Sequence, residues 1–150
     1  MKKILLTLLL FSSIFAQANR ILTIAPTAQV SSIGNVTLPM MNPARNLFVK
    51  DHFSFSRVNW MTNIVDDMSY NFINVDRGQY GLNVLFFNYG EQNQTDEFGI
   101  IQSQFTPLSA VYGFSYARKV DKYNLGLDVK LITHNLHTQK ANGFVLGIGG

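Results

Sequence analysis

His134 and His137 are the only closely spaced histidines in the chain, and with Asp128 they are the side chains best suited to hold a metal ion or activate a nucleophile. On an extended strand that runs into a loop, a spacing of three does not place both imidazoles on one face. A convincing third ligand and a Gly-x-Ser-x-Gly motif are both missing from the sequence. The sequence therefore favours solvated loop histidines and predicts no catalytic residue, no metal and no cofactor.

Two acidic pairs, Asp66-Asp67 and Asp96-Glu97, could serve as acid/base pairs or as part of a calcium loop. Adjacent residues of a strand point to opposite sides, and the spaced oxygen ligands of a calcium loop are missing. We therefore predict that both pairs are polar loop residues. Asp128 and Lys130 differ, because a spacing of two places them on one face of a strand, where an ion pair is expected.

The segments that must position these residues have the pattern of strands. Between Tyr123 and Thr133, large apolar residues alternate with small or charged ones. Such a strand fits either a soluble β-sandwich or an outer-membrane β-barrel, in which one face meets lipid and the other an aqueous lumen. Similar segments recur, and in each of them large, mostly apolar residues share one side: Met68, Tyr70, Phe72; Tyr80, Leu82, Val84, Phe86; Leu108, Ala110, Tyr112, Phe114, Tyr116; and Phe144, Leu146, Ile148.

The predicted fold class is therefore all-β, a transmembrane antiparallel barrel represented by about six of the strands that a larger barrel needs. The sequence predicts polar loops from Gly90 to Pro107 and from His134 to Asn142. It predicts tight turns at Asp76–Gly78 and at Asp121-Lys122. This alternation of loop lengths is typical of outer-membrane barrels with a periplasmic N-terminus. Tyr80, Tyr116, Tyr123 and Phe72 would then form an aromatic girdle beside the periplasmic turns.

Residues 1–18 have the order of a secretory signal peptide: two lysines, an apolar run and then Ala16-Gln17-Ala18. The apolar run is too short to span a bilayer, and no other stretch is apolar for long enough to form a membrane helix. We therefore expect export through a cleaved signal and a location in the bacterial outer membrane, with lipid as a partner.

The composition excludes several classes of protein. Removal of the signal would leave ten basic against nine acidic side chains, so the charge does not indicate a nucleic-acid partner. The absence of cysteine excludes a disulfide framework and thiolate chemistry.

The first predicted strand, from His52 to Trp60, contains a fault in its alternation. Phe53 and Phe55 share one face, whereas Val58 and Trp60 fall on the other. A bulge between the two pairs would bring all four outward and turn Arg57 into the lumen, avoiding a lipid-facing arginine that costs about 2 to 4 kcal/mol at the midplane. We predict this bulge and name Arg57, Asp128 and Lys130 as lumen-facing residues.

The stretch from Thr27 to Ala44, which ends in Asn42-Pro43-Ala44 and is followed by Phe53–Ser56 and Trp60, resembles the start of the PorV/PorQ family of FadL-like outer-membrane barrels. Tyr116–Lys119 with Leu125-Gly126 looks like a later hairpin of that family. The resemblance implies a barrel of about fourteen strands with an N-terminal hatch inside it. It also implies a role in type IX protein secretion for some members and uptake of hydrophobic solutes for relatives. The sequence departs from the family pattern at Asn35–Pro39, where an acidic run commonly stands.

On this basis the chain divides into a signal peptide (1–18), a hatch segment that carries Asn42, Pro43 and Ala44 (19–51), and the N-terminal part of a barrel (52–150). The expected function is non-enzymatic and concerns secretion or surface attachment of proteins, with secreted proteins or other secretion components as partners. Transport of hydrophobic solutes is the alternative. An outer-membrane hydrolase and a soluble periplasmic sandwich are the remaining hypotheses.

Overall fold

The structure is a computed structural model that describes Thr27, residues 42–60 and residues 67–150. The predicted signal peptide (1–18), the departure at Asn35–Pro39 and Asp66 lie outside the described residues. Eight strands and one short 3-10 helix, Pro43–Leu47, make up the regular structure of the described part. The strands are β1 (His52–Asn59), β2 (Met68–Arg77), β3 (Tyr80–Tyr89), β4 (Gln92–Thr95), β5 (Ile101–Phe105), β6 (Leu108–Val120), β7 (Tyr123–Leu136) and β8 (Gln139–Gly149).

Six of these strands form one sheet in the order β1-β2-β3-β6-β7-β8, and each neighbouring pair is antiparallel. The other two strands, β4 and β5, form a separate hairpin within the connection from β3 to β6. The prediction of an all-β chain is confirmed. The six-stranded sheet is open, with β1 and β8 at its two ends within the described residues.

The pairing register divides the sheet into two faces. Leu82, Phe114, Val129 and Leu146 pair in a row across four strands and lie on what we term the apolar face. Their neighbours in sequence, Asn83, Gly113, Lys130 and Val145, pair in the adjacent row and lie on the opposite side. This second side carries the 3-10 helix, and we term it the helix face.

The prediction of which β2 residues lie on the apolar face was wrong, because the alternation is shifted by one residue. Tyr70 and Phe72 were expected on the apolar face, but they pair with Phe87 and Leu85 and are buried on the helix face. The cause is the turn that joins β2 to β3. It contains only Gly78 and Gln79, so Arg77 pairs with Tyr80, and this register fixes the side to which every β2 residue points. Phe72 therefore does not belong to the predicted girdle.

The predicted bulge in β1 was also wrong. From His52 to Asn59 the strand pairs with β2 without a shift in register. Arg57 therefore lies on the apolar face with Phe53 and Phe55, and its Nε donates to Asn59 Oδ1 at 3.3 Å. Trp60 follows the other parity, and its ring lies 5.8 Å from that of Phe87 on the helix face. The arginine is accommodated by polar neighbours rather than by a bulge.

The predicted loops are more ordered than expected. The long connection from Gly90 to Pro107 contains the β4–β5 hairpin, and the second predicted loop is replaced by a turn of two residues, His137 and Thr138. A tight turn does follow β2, but it is formed by Gly78 and Gln79 and not by Asp76–Gly78, whereas the predicted turn at Asp121-Lys122 after β6 is confirmed. Because the β7–β8 connection is short, loop length does not alternate along the whole chain.

The described residues contain no helix that is both long enough and apolar enough to pass through a membrane.

Candidate functional site

The Asn42-Pro43-Ala44 motif begins the 3-10 helix. Asn42 is its N-cap, and the side-chain Oδ1 of Asn42 accepts a hydrogen bond from the backbone N–H of Ala44 at 3.1 Å. Pro43 occupies the first turn, where a missing N–H costs nothing. The motif thus encodes a short, capped turn.

This turn is seated on strands β6, β7 and β8. Pro43 and Ala44 are buried there, and two glycines supply the space. A side chain at Gly126 would collide with the backbone of Pro43 and Ala44, and one at Gly149 would collide with the Asn42 side chain. Only a residue without Cβ allows such a close approach of helix and sheet.

Beside the helix, the helix face carries a polar layer, which we define as Asn46, Asn74, Asp76, Asn83, Ser115, Asp128 and Lys130. Lys130 Nζ pairs with Asp128 Oδ2, and both side chains are almost fully buried. The ion pair expected from their spacing is therefore present, and it lies on the face that receives the 3-10 helix.

The polar layer also joins the helix to the sheet. Asn46 Nδ2 donates to Ser115 Oγ on β6 at 2.9 Å and to the carbonyl oxygen of Gln79 at 3.3 Å. On β2, Asn74 Nδ2 donates to Asp76 Oδ2 at 2.5 Å. Asn46, Asn74 and Asp76 are each no more than 2% exposed, so these contacts are screened from bulk solvent.

Farther along the strands, the helix face changes from polar to apolar. An apolar layer of six buried side chains crosses four neighbouring strands: Tyr70, Phe72, Leu85, Phe87, Val111 and Ile132. Leu85 and Phe87 alternate along β3 with Val84 and Phe86 and belong to this layer. A closely packed layer of this kind stabilises the sheet and leaves little room for solvent.

The apolar face has the opposite character, because its large hydrophobic side chains are exposed. Leu125, Leu127, Val129 and Leu131 on β7 are 42 to 58% exposed. Their partners Phe114, Leu146 and Ile148 are 46 to 83% exposed, so the exposed area is contiguous across β6, β7 and β8. Soluble monomers rarely expose an apolar surface of this extent.

Aromatic rings border this face near the tight turns. Tyr80 and Tyr116 pair across β3 and β6 with their ring centroids 5.2 Å apart. Tyr123 is 61% exposed at the start of β7. Three of the four residues predicted as a girdle therefore lie beside the turns that follow β2 and β6.

A contact between Ser109 and His134 was missed by the sequence reasoning. Ser109 Oγ lies 2.5 Å from His134 Nδ1 and 3.3 Å from the hydroxyl oxygen of Tyr89. The pairing of β6 with β7 places Ser109 opposite His134, a relation that spacing along the sequence does not contain. Because Ser109 is fully buried, a substrate carbonyl cannot reach its oxygen, and the contact acts in packing.

The other residues considered for chemistry lie apart from one another. His137 is in the β7–β8 turn, with its ring 4.5 Å from that of Phe105. Asp96 is in the β4–β5 turn, where its Oδ1 accepts from the N–H groups of Phe98 and Ile100. In the part of the chain that the structure describes, no three side chains among His, Cys, Asp and Glu are grouped as metal ligands.

The structure thus brings Asn42, Pro43, Ala44, Asp128 and Lys130 to one face, whereas Arg57 lies on the other. Comparison with family models, with curated proteins and with solved structures finds no match to the chain.

Proposed function

We propose that the chain is the N-terminal part of an outer-membrane β-barrel of the PorV/PorQ type, and that it serves the secretion or surface attachment of proteins without enzymatic activity. The observation that carries the proposal is the apolar face. Exposed leucine, valine, isoleucine and phenylalanine side chains alternate with the buried polar layer on the same strands. Lipid is the solvent that suits such a face, and an aqueous or plugged interior suits the other.

The docked 3-10 helix supports the hatch that the family resemblance implies. Asn42-Pro43-Ala44 lies on the helix face, which would be the interior of a closed barrel. In this proposal the helix would partly fill the lumen, with the Asp128–Lys130 pair beside it. A polar lumen plugged by chain segments is a known arrangement among outer-membrane barrels.

The β4–β5 hairpin favours protein contacts over solute uptake. Phe98 and Ile100 in its turn and Ile101 at the start of β5 are 56 to 80% exposed. Exposed aromatic and aliphatic side chains on a preformed turn are typical anchors for a protein partner. The apolar layer of the helix face is closely packed, so it supports a solute path less well, and uptake of hydrophobic solutes is the second candidate.

Membrane location is tested by extraction of cell envelopes with alkaline carbonate. We expect the chain to stay in the membrane pellet and to require detergent for release. Recovery of a folded chain in the soluble fraction would contradict the proposal and favour a periplasmic sandwich.

The role is tested with a strain that lacks the gene, by measuring proteins on the cell surface and uptake of a labelled fatty acid. We expect loss of surface proteins with uptake unchanged, and rescue by the native gene. Complementation with Phe98→Ser should restore surface display only partly, whereas Gln104→Ser on β5 is the matched control. Reduced uptake with normal surface proteins would favour the transporter.

A further inference from the structure

Among the described residues, four buried oxygen atoms of the polar layer have no hydrogen-bond partner. They are the Oδ1 atoms of Asn46, Asn74, Asp76 and Asn83. All four are acceptors, and the other unpaired buried polar atoms of the described residues are Arg45 Nε and Ser54 Oγ. Buried polar atoms are normally satisfied, and each exception requires a partner of matching chemistry.

Two of the amide orientations are fixed by their partners. Asn46 Nδ2 lies 3.3 Å from the Gln79 carbonyl oxygen, which can only accept, so the nitrogen must be on that side and Oδ1 on the other. Asn74 Nδ2 faces Asp76 Oδ2 in the same way. Exchanging the nitrogen and oxygen of either side-chain amide would place two acceptors against each other. The unpaired atoms of Asn46 and Asn74 are therefore oxygens.

Three oxygens surround the space above Gly81. A Cβ placed on Gly81 would lie 2.8 Å from Asp76 Oδ1, 3.2 Å from Asn46 Oδ1 and 2.5 Å from Ser115 Oγ. The free oxygens of Asp76 and Asn46 are therefore within about 6 Å of each other. Because Gly81 has no side chain, small rotations of these groups can bring them to one ion.

The charge of the layer determines the kind of partner. Asp76 is 2% exposed, and the ion pairs of the described residues are Asp51–Arg77 and Asp128–Lys130, neither of which includes it. Lys130 is already engaged by Asp128. His52 lies opposite Asp76 on β1, but its favourable charge affects the carboxylate less than burial does. A buried carboxylate without a salt bridge is costly, and such groups are usually paired or bind a metal ion.

We propose that this cluster binds a hard cation of the calcium type, with Asp76 as the charged ligand and Asn46 Oδ1 and Ser115 Oγ as neutral ligands. Carboxylate, amide and hydroxyl oxygens are the ligands that calcium prefers, and calcium tolerates irregular geometry better than magnesium does. A single carboxylate makes the site weak, with a dissociation constant on the order of 10⁻⁴ to 10⁻³ M.

The ion would fasten the 3-10 helix to the sheet. Asn46 belongs to the helix, Asp76 to β2 and Ser115 to β6, so one ion would join three elements. The sequence reasoning could not find this site, because it searched for clustered acidic residues, whereas these ligands are far apart in sequence and mostly neutral.

The test is thermal unfolding of the full chain, freed of divalent ions, with calcium chloride added up to ~10 mM, which exceeds the expected dissociation constant. We expect the melting temperature of the native chain to rise by about 4 °C or more. The rise should be lost in Asp76→Asn, which removes the charge without changing the shape. It should be kept in Asp51→Asn, a matched change at an exposed carboxylate.

Calorimetric titration of calcium into the native chain and into the Asn46→Ala variant measures calcium binding directly. It does not require that the Asp76→Asn variant folds. We expect one weak site in the native chain and weaker binding in the variant. The proposal is overturned if the native chain shows no binding heat and no rise in melting temperature. It is also overturned if sodium chloride at equal ionic strength has the same effect, or if the rise persists in Asp76→Asn or disappears in Asp51→Asn.

Discussion

The two faces of β7 differ in how they are stabilised, although they belong to one strand. Leu125, Leu127, Val129 and Leu131 are exposed on the apolar face, whereas Asp128 and Lys130 are buried beside the helix. A water-soluble sheet would have the reverse arrangement, with leucines inside and charges outside. This arrangement is the one that the proposed membrane location requires, with one face toward lipid and the other toward the helix.

The largest test of the difference between the two faces of β7 is the buried Asp128–Lys130 ion pair. Lys130→Met should cost about 3 to 5 kcal/mol of unfolding free energy, because Asp128 is left buried without its cation. Chemical denaturation in detergent micelles measures the loss. Replacing both residues, Asp128→Leu with Lys130→Met, should recover much of it, and the exposed Lys119→Met is the control. A loss under about 1 kcal/mol in the single variant would mean that the pair is solvated.

A charge on the apolar face should have the next largest effect. Leu127→Arg should destabilise the chain in lipid bilayers by about 2 to 4 kcal/mol, the cost of an arginine near the midplane. Asn135→Arg, on the same face near the end of β7, is the control and should change stability little. An effect within about 0.5 kcal/mol at Leu127 would be that of an ordinary water-exposed position and would remove the difference between the faces.

Arg57 is a charged residue on the otherwise mostly apolar face, so its position relative to the membrane tests the difference between the two faces. It lies toward the end of β1, opposite Asn71 and bonded to Asn59. Near a membrane interface an arginine costs about 0 to 1 kcal/mol, so Arg57→Leu should stabilise the chain in bilayers by no more than that. A gain of about 2 kcal/mol or more would place Arg57 at the midplane and contradict the interfacial position.

The smallest effect is expected outside the six-stranded sheet, in the β4–β5 turn. Hydrogen bonds from the backbone of Ile100, from the Gln102 side chain and from the backbone of Phe98 lower the pKa of Asp96 below its ordinary value of 3.8, against a smaller opposing effect of burial. A lowered pKa in the folded state means that the ionised group stabilises the turn at higher pH. This contribution is lost as the pH falls through the folded-state pKa.

Hydrogen exchange of the Phe98 and Ile100 amides measures this effect. Protection should be constant at pH values above about 4 and should fall below it. Asp96→Asn should show weak protection without this dependence on pH. A native turn whose protection is unchanged down to pH 2 would contradict the role of the carboxylate.

The strands themselves could be predicted from the sequence, because alternation in β3, β6 and β7 is a local property. The phase of β2 could not be predicted from its composition, since Tyr70 and Phe72 suit either face. The two-residue turn at Gly78-Gln79 decided it, and counting back from Arg77 would have given the correct phase. The prediction of a bulge beside Arg57 was wrong because it considered only the cost of an arginine in lipid. It did not consider the polar neighbours Asn59 and Asn71.

The candidate site was predicted only where its residues are close in sequence. Asp128 and Lys130 are two residues apart, so the spacing rule for strands predicted their pairing, whereas the continuous Asn42-Pro43-Ala44 motif was identified through the family resemblance. The contacts of Asn46 with Ser115 and of Ser109 with His134 depend on the register of strands far apart in the chain. A single sequence contains no direct signal for such contacts.

The most direct test of the account is a nitroxide scan of β7, which the absence of native cysteine makes simple. Single cysteines at residues 124, 125 and 127–132 would be spin-labelled in bilayers, leaving out Gly126 because a side chain there would collide with the helix. The accessibility of each label to oxygen and to a water-soluble nickel chelate would be measured. Accessibility to oxygen should peak at 125, 127, 129 and 131 and reach a minimum at 128 and 130. Labels at the odd positions that are accessible to the nickel chelate but not enriched for oxygen would contradict the claim that the apolar face meets lipid.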